Sequence, residues 1–356
     1  MELNSLLNRI DSSLKGKLPF VAYRKPNNKN KIQSLFQQDD TLHFLKDFSQ
    51  TGFVFAPFDT REKTILFPEE NCETFRVKYS ISQQDNPKGQ SSTNRINNEI
   101  KEKKDHINLV QKCIDFIKDG EVTKVVLSRK EEVSFKGVDL IDTFLNLLDN
   151  YPLAFVYLWF HPKVGLWMGA SPETLLSVEN KKFKTMALAG TQPYMDSLKV
   201  QWKEKEKEEQ GIVSDFIAAE LKGFELKITK PYTKKAGSLL HICTEIDGKL
   251  NSNEQLNTIL KKLHPTPAIC GFPKEKAKRF ILQNENYNRE YYTGFLGELN
   301  MENSTNLFVN LRCMQIKSSK AIIYIGGGIT ADSVPEKEWE ETVAKSEVMK
   351  RVISKV

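Results

Sequence analysis

The chain is 356 residues long, 39% hydrophobic and carries a net charge of +6, enough apolar content for a large core in one domain or two intimate ones. No apolar run approaches the roughly 18–20 residues of a membrane-spanning helix, and the opening MELNSLLNRIDSSLKGK lacks the apolar centre of a secretory leader, so no membrane association is expected. Five scattered cysteines (72, 113, 243, 270 and 313) without C-x-x-C, and five histidines without H-E-x-x-H, argue for reduced thiols in a cytoplasmic protein and against a disulfide frame or zinc knuckle.

In chain order, residues 1 to about 80 mix short apolar runs with turns, and 18–23, 53–57 and 64–67 read as strands. The polar, breaker-rich stretch 82–98 reads as an exposed loop. Residues 99–118 have helical spacing at Ile107, Val110, Cys113, Ile114 and Ile117, and Gly120 stops the helix. TKVVLSRKEEVSF then reads as a strand and VDLIDTFLNLLDN as a helix, followed by strands at PLAFVYLWF, VGLWMGA and KKFKTMALAG. A charged helix is expected over 199–221, strands over 307–316 and 320–325, and a closing helix over 336–352. Strands cluster and helices fall between the clusters, without β-α-β alternation. That pattern predicts an α+β fold with large antiparallel β-sheets flanked by helices. Residues 1–98 form its weakly patterned N-terminal part and 99–356 its motif-bearing region, within one integrated domain.

The positive excess sits in mixed runs such as KEKEKEE, without the basic stripe and interleaved aromatics of a nucleic-acid binder, so no nucleic acid is expected as a partner. Near the C-terminus IGGGITADSVPEKEWEETVAK runs from Ile325 to Lys345 and fits neither a dinucleotide fingerprint nor a Walker loop. Glu338 and Glu341 are three apart on one helical face with Lys345 one turn on, and Glu206 and Glu209 repeat the spacing. Two helices that each offer E-x-x-E can converge on one hard cation, and Mg²⁺ takes a few carboxylates plus water and substrate oxygens. Solvated Glu/Lys faces are the alternative. The three glycines weaken it, because bare backbone admits close approach of a substrate, although a left-handed turn is their other use.

Together these segments resemble the chorismate-utilising family of isochorismate, salicylate, anthranilate and aminodeoxychorismate synthases. The matches stand in order at TKVVLSRK (123–130), MGASPETLL (168–176), LAGTQP (188–193), KEKEEQGIV (205–213), LHPTPAICGFPKEKA (263–277), ENYNREYYTGFLGE (285–298), VNLRCMQI (309–316) and IYIGGGITADSVPEKEWEETVAK (323–345). The resemblance implies the chorismate-utilising enzyme fold, with an active-site cleft in the C-terminal half, chorismate as a small-molecule substrate, and a monomer. Subgroups of the family differ in the nucleophile that attacks C2 of chorismate. Ala189 stands where aminodeoxychorismate synthases place an adduct-forming lysine, and no amidotransferase segment is present to supply ammonia. Members that use water place a lysine in K-V-V-L-[SA]-R, here Lys124, and a glutamate in G-A-S-P-E, here Glu173. The form HPTPAICG (264–271) is also similar to isochorismate synthases.

The resemblance then implies Lys124 as base for the incoming water and Glu173 as acid for the leaving hydroxyl. It implies Glu209 and Glu341 as Mg²⁺ ligands, with Glu206 and Glu338 on the metal's waters. Tyr292 and Arg312 match the pair on the enolpyruvyl carboxylate, Lys345 supports the ring carboxylate, and Gly190, Thr191, Gly326 and Gly327 line the substrate. A lysine base has to shed its proton at neutral pH, helped by burial or by neighbouring positive charge such as Mg²⁺ or Arg129, and the glutamic acid has to keep its own. Arg289 and His264 stay open between structural and functional roles. Gln192 and Glu298 depart from the family's usual residues and leave the pocket rim open. Two rivals remain. One is a salicylate synthase, which goes on to eliminate pyruvate. The other is a non-catalytic lysine-rich protein that binds RNA or an acidic partner. Menaquinone or catechol siderophore synthesis would use the product, menaquinone being preferred.

Overall fold

The computed structural model describes residues 2–26, 28, 30–80, 99–195, 197–236, 239–252 and 255–353, and the loop expected over 82–98 lies outside them. Two large sheets carry the fold, every ladder between their strands antiparallel. The first runs, in spatial order, Gly271–Phe272, Lys124–Ser134, Lys320–Ile329, Cys313–Lys317, Gly165–Ser171, Phe155–His161, Phe20–Arg24, Lys31–Gln37, Cys72–Lys78. The second runs Lys227–Ile228, Leu239–Lys249, Lys182–Pro193, Thr174–Glu179, Ser304–Val309, Phe295–Met301, Gly52–Ala56, Ile65–Pro68, and Tyr232–Ala236 also pairs with Leu239–Lys249. This is the expected α+β architecture. Strands from the first 80 residues sit in both sheets, so the N-terminal part is woven into the same body.

Side chains of a strand alternate between faces, and here both faces are buried. In Phe155–His161, Phe155, Tyr157 and Trp159 point into an aromatic core shared with Phe53, Phe55 and Phe67 of the second sheet. Val156 and Leu158 point the other way, onto a core closed by Leu6 and Ile10 of the helix Leu3–Lys15, Phe144 and Leu147 of the helix Leu140–Asn150, and Val348 and Met349 of the helix Pro335–Lys350. The helices Glu204–Glu220 and Gln255–Leu263 cover the outer face of the second sheet through Val213, Ile217, Ile259 and Leu263. The order of layers is therefore helix, sheet, sheet, helix. Burial on both faces is why PLAFVYLWF is apolar throughout, where a half-exposed strand would alternate.

Several expectations need correcting. The helix Leu3–Lys15 and the strands Lys31–Gln37, Cys72–Lys78 and Thr174–Glu179 were not foreseen. The charged helix starts at Glu204, not near 199. The single strand expected over 307–316 is two strands, Ser304–Val309 in the second sheet and Cys313–Lys317 in the first, broken where Arg312 takes a left-handed φ of 48°. Gly326–Gly328 form no turn and lie within the strand Lys320–Ile329, paired with Ser128, Leu127 and Val126.

The chain passes between the sheets at two adjacent places. One link, with Pro172 and Glu173, joins Gly165–Ser171 to Thr174–Glu179, and the other, with Leu311 and Arg312, joins Ser304–Val309 to Cys313–Lys317. Ser171 Oγ donates to the Val309 carbonyl at 2.5 Å, Val309 N–H to the Glu173 carbonyl at 3.0 Å, and Ala170 N–H to the Arg312 carbonyl at 3.0 Å. These bonds lock the two links side by side.

Beneath them, Glu285 and Arg289 form a buried pair at 2.5 Å. Glu285 accepts from Ser128 N–H at 2.7 Å, and Arg289 donates to the carbonyls of Val126 and Ile269 and to Thr293 Oγ1. One ion pair thus ties the strand Lys124–Ser134 to the segments that carry Ile269 and Thr293. Arg289→Ala, which strands the Glu285 carboxylate, should cost about 3–5 kcal/mol of stability, read as a lower denaturant midpoint.

Candidate active site

A cleft of about 920 Å³, counting its open mouth, lies at the end of the two sheets where Lys124–Ser134 and Lys320–Ile329 face Lys182–Pro193 and Leu239–Lys249. It gathers Glu173, Gly190, Thr191, Glu209, Tyr292, Arg312, Gly326, Gly327, Glu341 and Lys345 from seven separate segments, with Ala189 beside Gly190 and His241 from an eighth. Lys124, Glu206 and Glu338 stand behind this wall and not on it.

Glu173 is 3% exposed, and burial pushes its carboxyl up to about 8 against the opposing pull of Lys124 and Lys234, so it keeps its proton at neutral pH. Lys124 is fully buried, and its Nζ lies 2.9 Å from Glu209 Oε1 in an ion pair that lacks hydrogen-bond alignment. For Glu209 burial alone would raise the carboxyl, but Lys124, Lys345 and Lys205 hold it below the usual range. Two glutamates in one cleft therefore have opposite charge states, set by their neighbours.

Three of the four acidic side chains each face a lysine, Glu209 facing Lys124. Lys345 Nζ sits 2.6 Å from Glu341 Oε1 and donates to the Gly326 carbonyl, and Lys205 Nζ sits 2.8 Å from Glu338 Oε1. Among the described residues no group of three potential ligand side chains is already gathered as a metal site. The donors nonetheless suit a hard cation. A Cβ placed on Gly327 would lie 3.7 Å from Glu338 Oε2 and 3.8 Å from Glu341 Oε1, and one on Gly328 would lie 2.5 Å from Glu209 Oε1. Carboxylates of both helices thus approach the same short run of bare backbone. The buried Glu206 Oε2 beside them finds no hydrogen-bond partner. An all-carboxylate oxygen set of this kind fits Mg²⁺.

Arg312 is held at the link between sheets by its backbone conformation, and burial lowers its guanidinium to about 10, which leaves it charged. Its Nη2 lies 2.8 Å from His241 Nε2, and His241 Nδ1 lies 2.8 Å from the Gly190 carbonyl. Arginine has no acceptor and a carbonyl no donor, so Nδ1 carries the proton and Nε2 accepts. Burial first, then Arg312, lowers His241 to about 3 and keeps it neutral. Sequence reasoning missed His241, since a lone histidine in LLHICTEIDG has no spacing partner. Gly190 breaks the register of its strand with φ 68°, and a Cβ there would sit 3.0 Å from Glu206 Cβ, so the bulge lets the acidic helix close in. Tyr292 stacks on Tyr324 at 5.5 Å, and a Cβ on Gly326 would lie 2.9 Å from its hydroxyl.

Four other residues turn out not to line the cleft. Arg129 bonds Thr342 and Glu131 and covers Trp339, so it is no neighbour tuning the base. His264 is buried edge-on against Phe295. Glu298, the departure after Gly297, is an interior group bonded by Tyr23 and Lys25, and Gln192 bonds the Gln201 carbonyl.

This fold and cleft define a chorismate-binding enzyme. The family model described as "Chorismate binding enzyme" matches residues 58–354, and the chain belongs to that family. Isochorismate synthase EntC of Escherichia coli K12 is 28% identical over 338 residues, which cover 90% of this chain and 85% of EntC. Anthranilate synthase component 1 of Aquifex aeolicus is 28% identical over 273 residues, 70% of this chain and 53% of that protein. A solved structure from Bacillus anthracis described as the isochorismate synthase DhbC superposes with a TM-score of 0.79 at 25% identity, covering 94% of this chain and 96% of that one. No described helix is long and apolar enough to cross a membrane.

The glycine strip separates two substitutions. Gly328→Ala drives a methyl against the Glu209 carboxylate and Lys124 Cε, and should lower chorismate turnover by about 10²-fold with the circular dichroism spectrum unchanged. Gly327→Ala meets its nearest carboxylates at ordinary contact distance and should be much milder in the same assay.

Proposed function

We propose that this chain is an Mg²⁺-dependent isochorismate synthase, which adds water at C2 of chorismate and releases the C4 hydroxyl. The observation that carries the reading is Glu173, a glutamic acid sealed from solvent that still holds a proton at neutral pH, in a cleft also lined by the cations Arg312 and Lys345. Such a group is built to protonate a leaving hydroxyl, and the two cations suit a substrate with two carboxylates.

In this reading Lys124 first leaves its ion pair with Glu209 and gives its ammonium proton to solvent, and the free amine then accepts a proton from water as the water oxygen bonds to C2. Both ring double bonds shift, C1=C2 to C1=C6 and C5=C6 to C4=C5, and the C4–O bond breaks as Glu173 gives its proton to the departing oxygen. One water enters and one leaves, so the product is an isomer. The proton on Lys124 must then return to Glu173 before the next turnover. Arg312, fixed by neutral His241, and Tyr292 orient the enolpyruvyl carboxylate, and Lys345 meets the ring carboxylate. Glu209 and Glu341 would hold Mg²⁺, with Glu206 and Glu338 around its waters, and the bound ion would supply positive charge to a substrate carboxylate. Ala189 in the cleft wall offers no amine for a covalent adduct, which favours water as the nucleophile. The match along most of the length of EntC, against about half of the anthranilate synthase component, supports the same choice.

Chorismate incubated with the protein should give isochorismate on chromatography only when Mg²⁺ is present, with no pyruvate detected by lactate dehydrogenase. Pyruvate released as fast as chorismate disappears would instead establish a salicylate synthase. Lys124→Ala and Glu173→Gln should each lower kcat by about 10²–10⁴, and a near-normal rate in the Lys124 variant would remove the assigned base. Because Glu173 works in its protonated form, kcat/KM should fall as pH rises through about 8, and a profile flat to higher pH would count against it as the acid.

A further inference from the structure

The metal-site reading leaves one lysine without a role. Lys205 stands in the first turn of the helix Glu204–Glu220 and crosses to the closing helix, where its Nζ lies 2.8 Å from Glu338 Oε1 and 3.5 Å from Ser333 Oγ. Lys205 is one turn before Glu209, and Glu338 is three residues before Glu341. The pair therefore joins the two acidic helices beside the carboxylates proposed to hold the cation. Four carboxylates at positions 206, 209, 338 and 341 are faced here by three lysines, 124, 205 and 345.

The three lysines differ in how they can move. The side chain of Lys124 is 0% exposed, that of Lys345 24%, and that of Lys205 41%, while its partner Glu338 is only 3% exposed. Lys345 is further fixed by its bond to the Gly326 carbonyl. Lys205 alone combines an open side chain with a buried carboxylate as partner, so it can reach water without leaving an ammonium buried.

We propose that Lys205 is a positioning residue that stands in for the divalent cation, balancing Glu338 between the two acidic helices before the ion enters and yielding that carboxylate when it does. The inference rests on the reading of these carboxylates as an Mg²⁺ site. Its consequence has a definite sign. Removing the ammonium removes both a competitor for Glu338 and a nearby positive charge, so Mg²⁺ should bind more tightly. If Lys205 merely stapled the helices together, its loss would let the ligands drift apart and Mg²⁺ would bind more weakly.

The test is calorimetric titration of MgCl₂ into the substrate-free protein. Lys205→Met should lower the Mg²⁺ dissociation constant by about threefold or more, and Lys205→Arg, which keeps the ion pair, should stay near the parent value. An unchanged or raised constant in Lys205→Met overturns the inference. Glu341→Gln separates the two levels. If it abolishes Mg²⁺ binding while Lys205→Met changes nothing, only the role of Lys205 falls. If the parent binds no Mg²⁺, or Glu341→Gln binds as the parent does, the metal site falls and the role of Lys205 with it.

Discussion

The cleft depends on the two links between the sheets being tied to each other. Glu173 and Arg312 belong to the two links between strands, more than a hundred residues apart in sequence, and neither link is placed by its own local structure alone. Their separation is fixed by the bonds from Ser171 to Val309, Val309 to Glu173 and Ala170 to Arg312. Arginine in a left-handed conformation costs about 1–3 kcal/mol and survives only where the surroundings over-determine it. Here strands of both sheets resume directly on either side, and the Arg312 carbonyl is already engaged. The link cannot relax without unpairing one sheet.

On that frame the chemistry is a matter of which glutamates find lysines. Glu173 is deeply sealed, and the charges near it do not outweigh the loss of water, so it stays an acid. Glu209 is helped by three lysines and stays a carboxylate despite its burial. The same side chain thus serves as proton donor and as cation ligand within one cleft, and the difference lies in partners contributed by distant elements. His241 shows the complementary case. It is neutral because burial, and after it the Arg312 guanidinium, disfavour a second proton, and as a neutral acceptor it anchors the arginine without adding to the positive charge offered to substrate.

Much of this was legible in the sequence, and the boundary is physical. Acidic residues at helical spacing, the glycine triplet and the ordered motifs from 123 to 345 could be read because those features need particular residue types at fixed offsets. Ten of the thirteen expected site residues line the cleft and the other three stand directly behind it. The lysine partners could not be read, since Lys124 meets Glu209 and Lys205 meets Glu338 only through the packing of helices on sheets. The break at Arg312 was hidden for another reason. Apolar residues flank Asn310–Arg312 on both sides, so LFVNLRCMQI reads as one strand and the left-handed turn at Arg312 leaves no mark in the sequence. The helix Leu3–Lys15 does carry apolar spacing at Leu3, Leu6, Leu7, Ile10 and Leu14, but it is short and lacks a side-chain cap, so only its packing against the first sheet decides its state.

The glycine triplet then takes on a meaning beyond flexibility. A glycine inside a strand weakens it, and three in succession would ordinarily fray an edge. Lys320–Ile329 pairs with Lys124–Ser134 along its whole length, glycines included, while Cys313–Lys317 pairs only with its residues 320–323, so the glycine backbone is held by one neighbouring strand and left open on its other side. Two of the glycines make room for a working part, 326 for the Tyr292 hydroxyl and 328 for the Glu209–Lys124 pair, while 327 lies at ordinary contact distance from Glu338 and Glu341. The strand is in effect a flat floor whose missing side chains are replaced by groups from other elements. This explains why bare backbone stands directly before an acidic helix. At Gly328 the floor has to be empty for the Glu209 carboxylate to lie against it, while at Gly327 the carboxylates of the closing helix stop at ordinary contact distance.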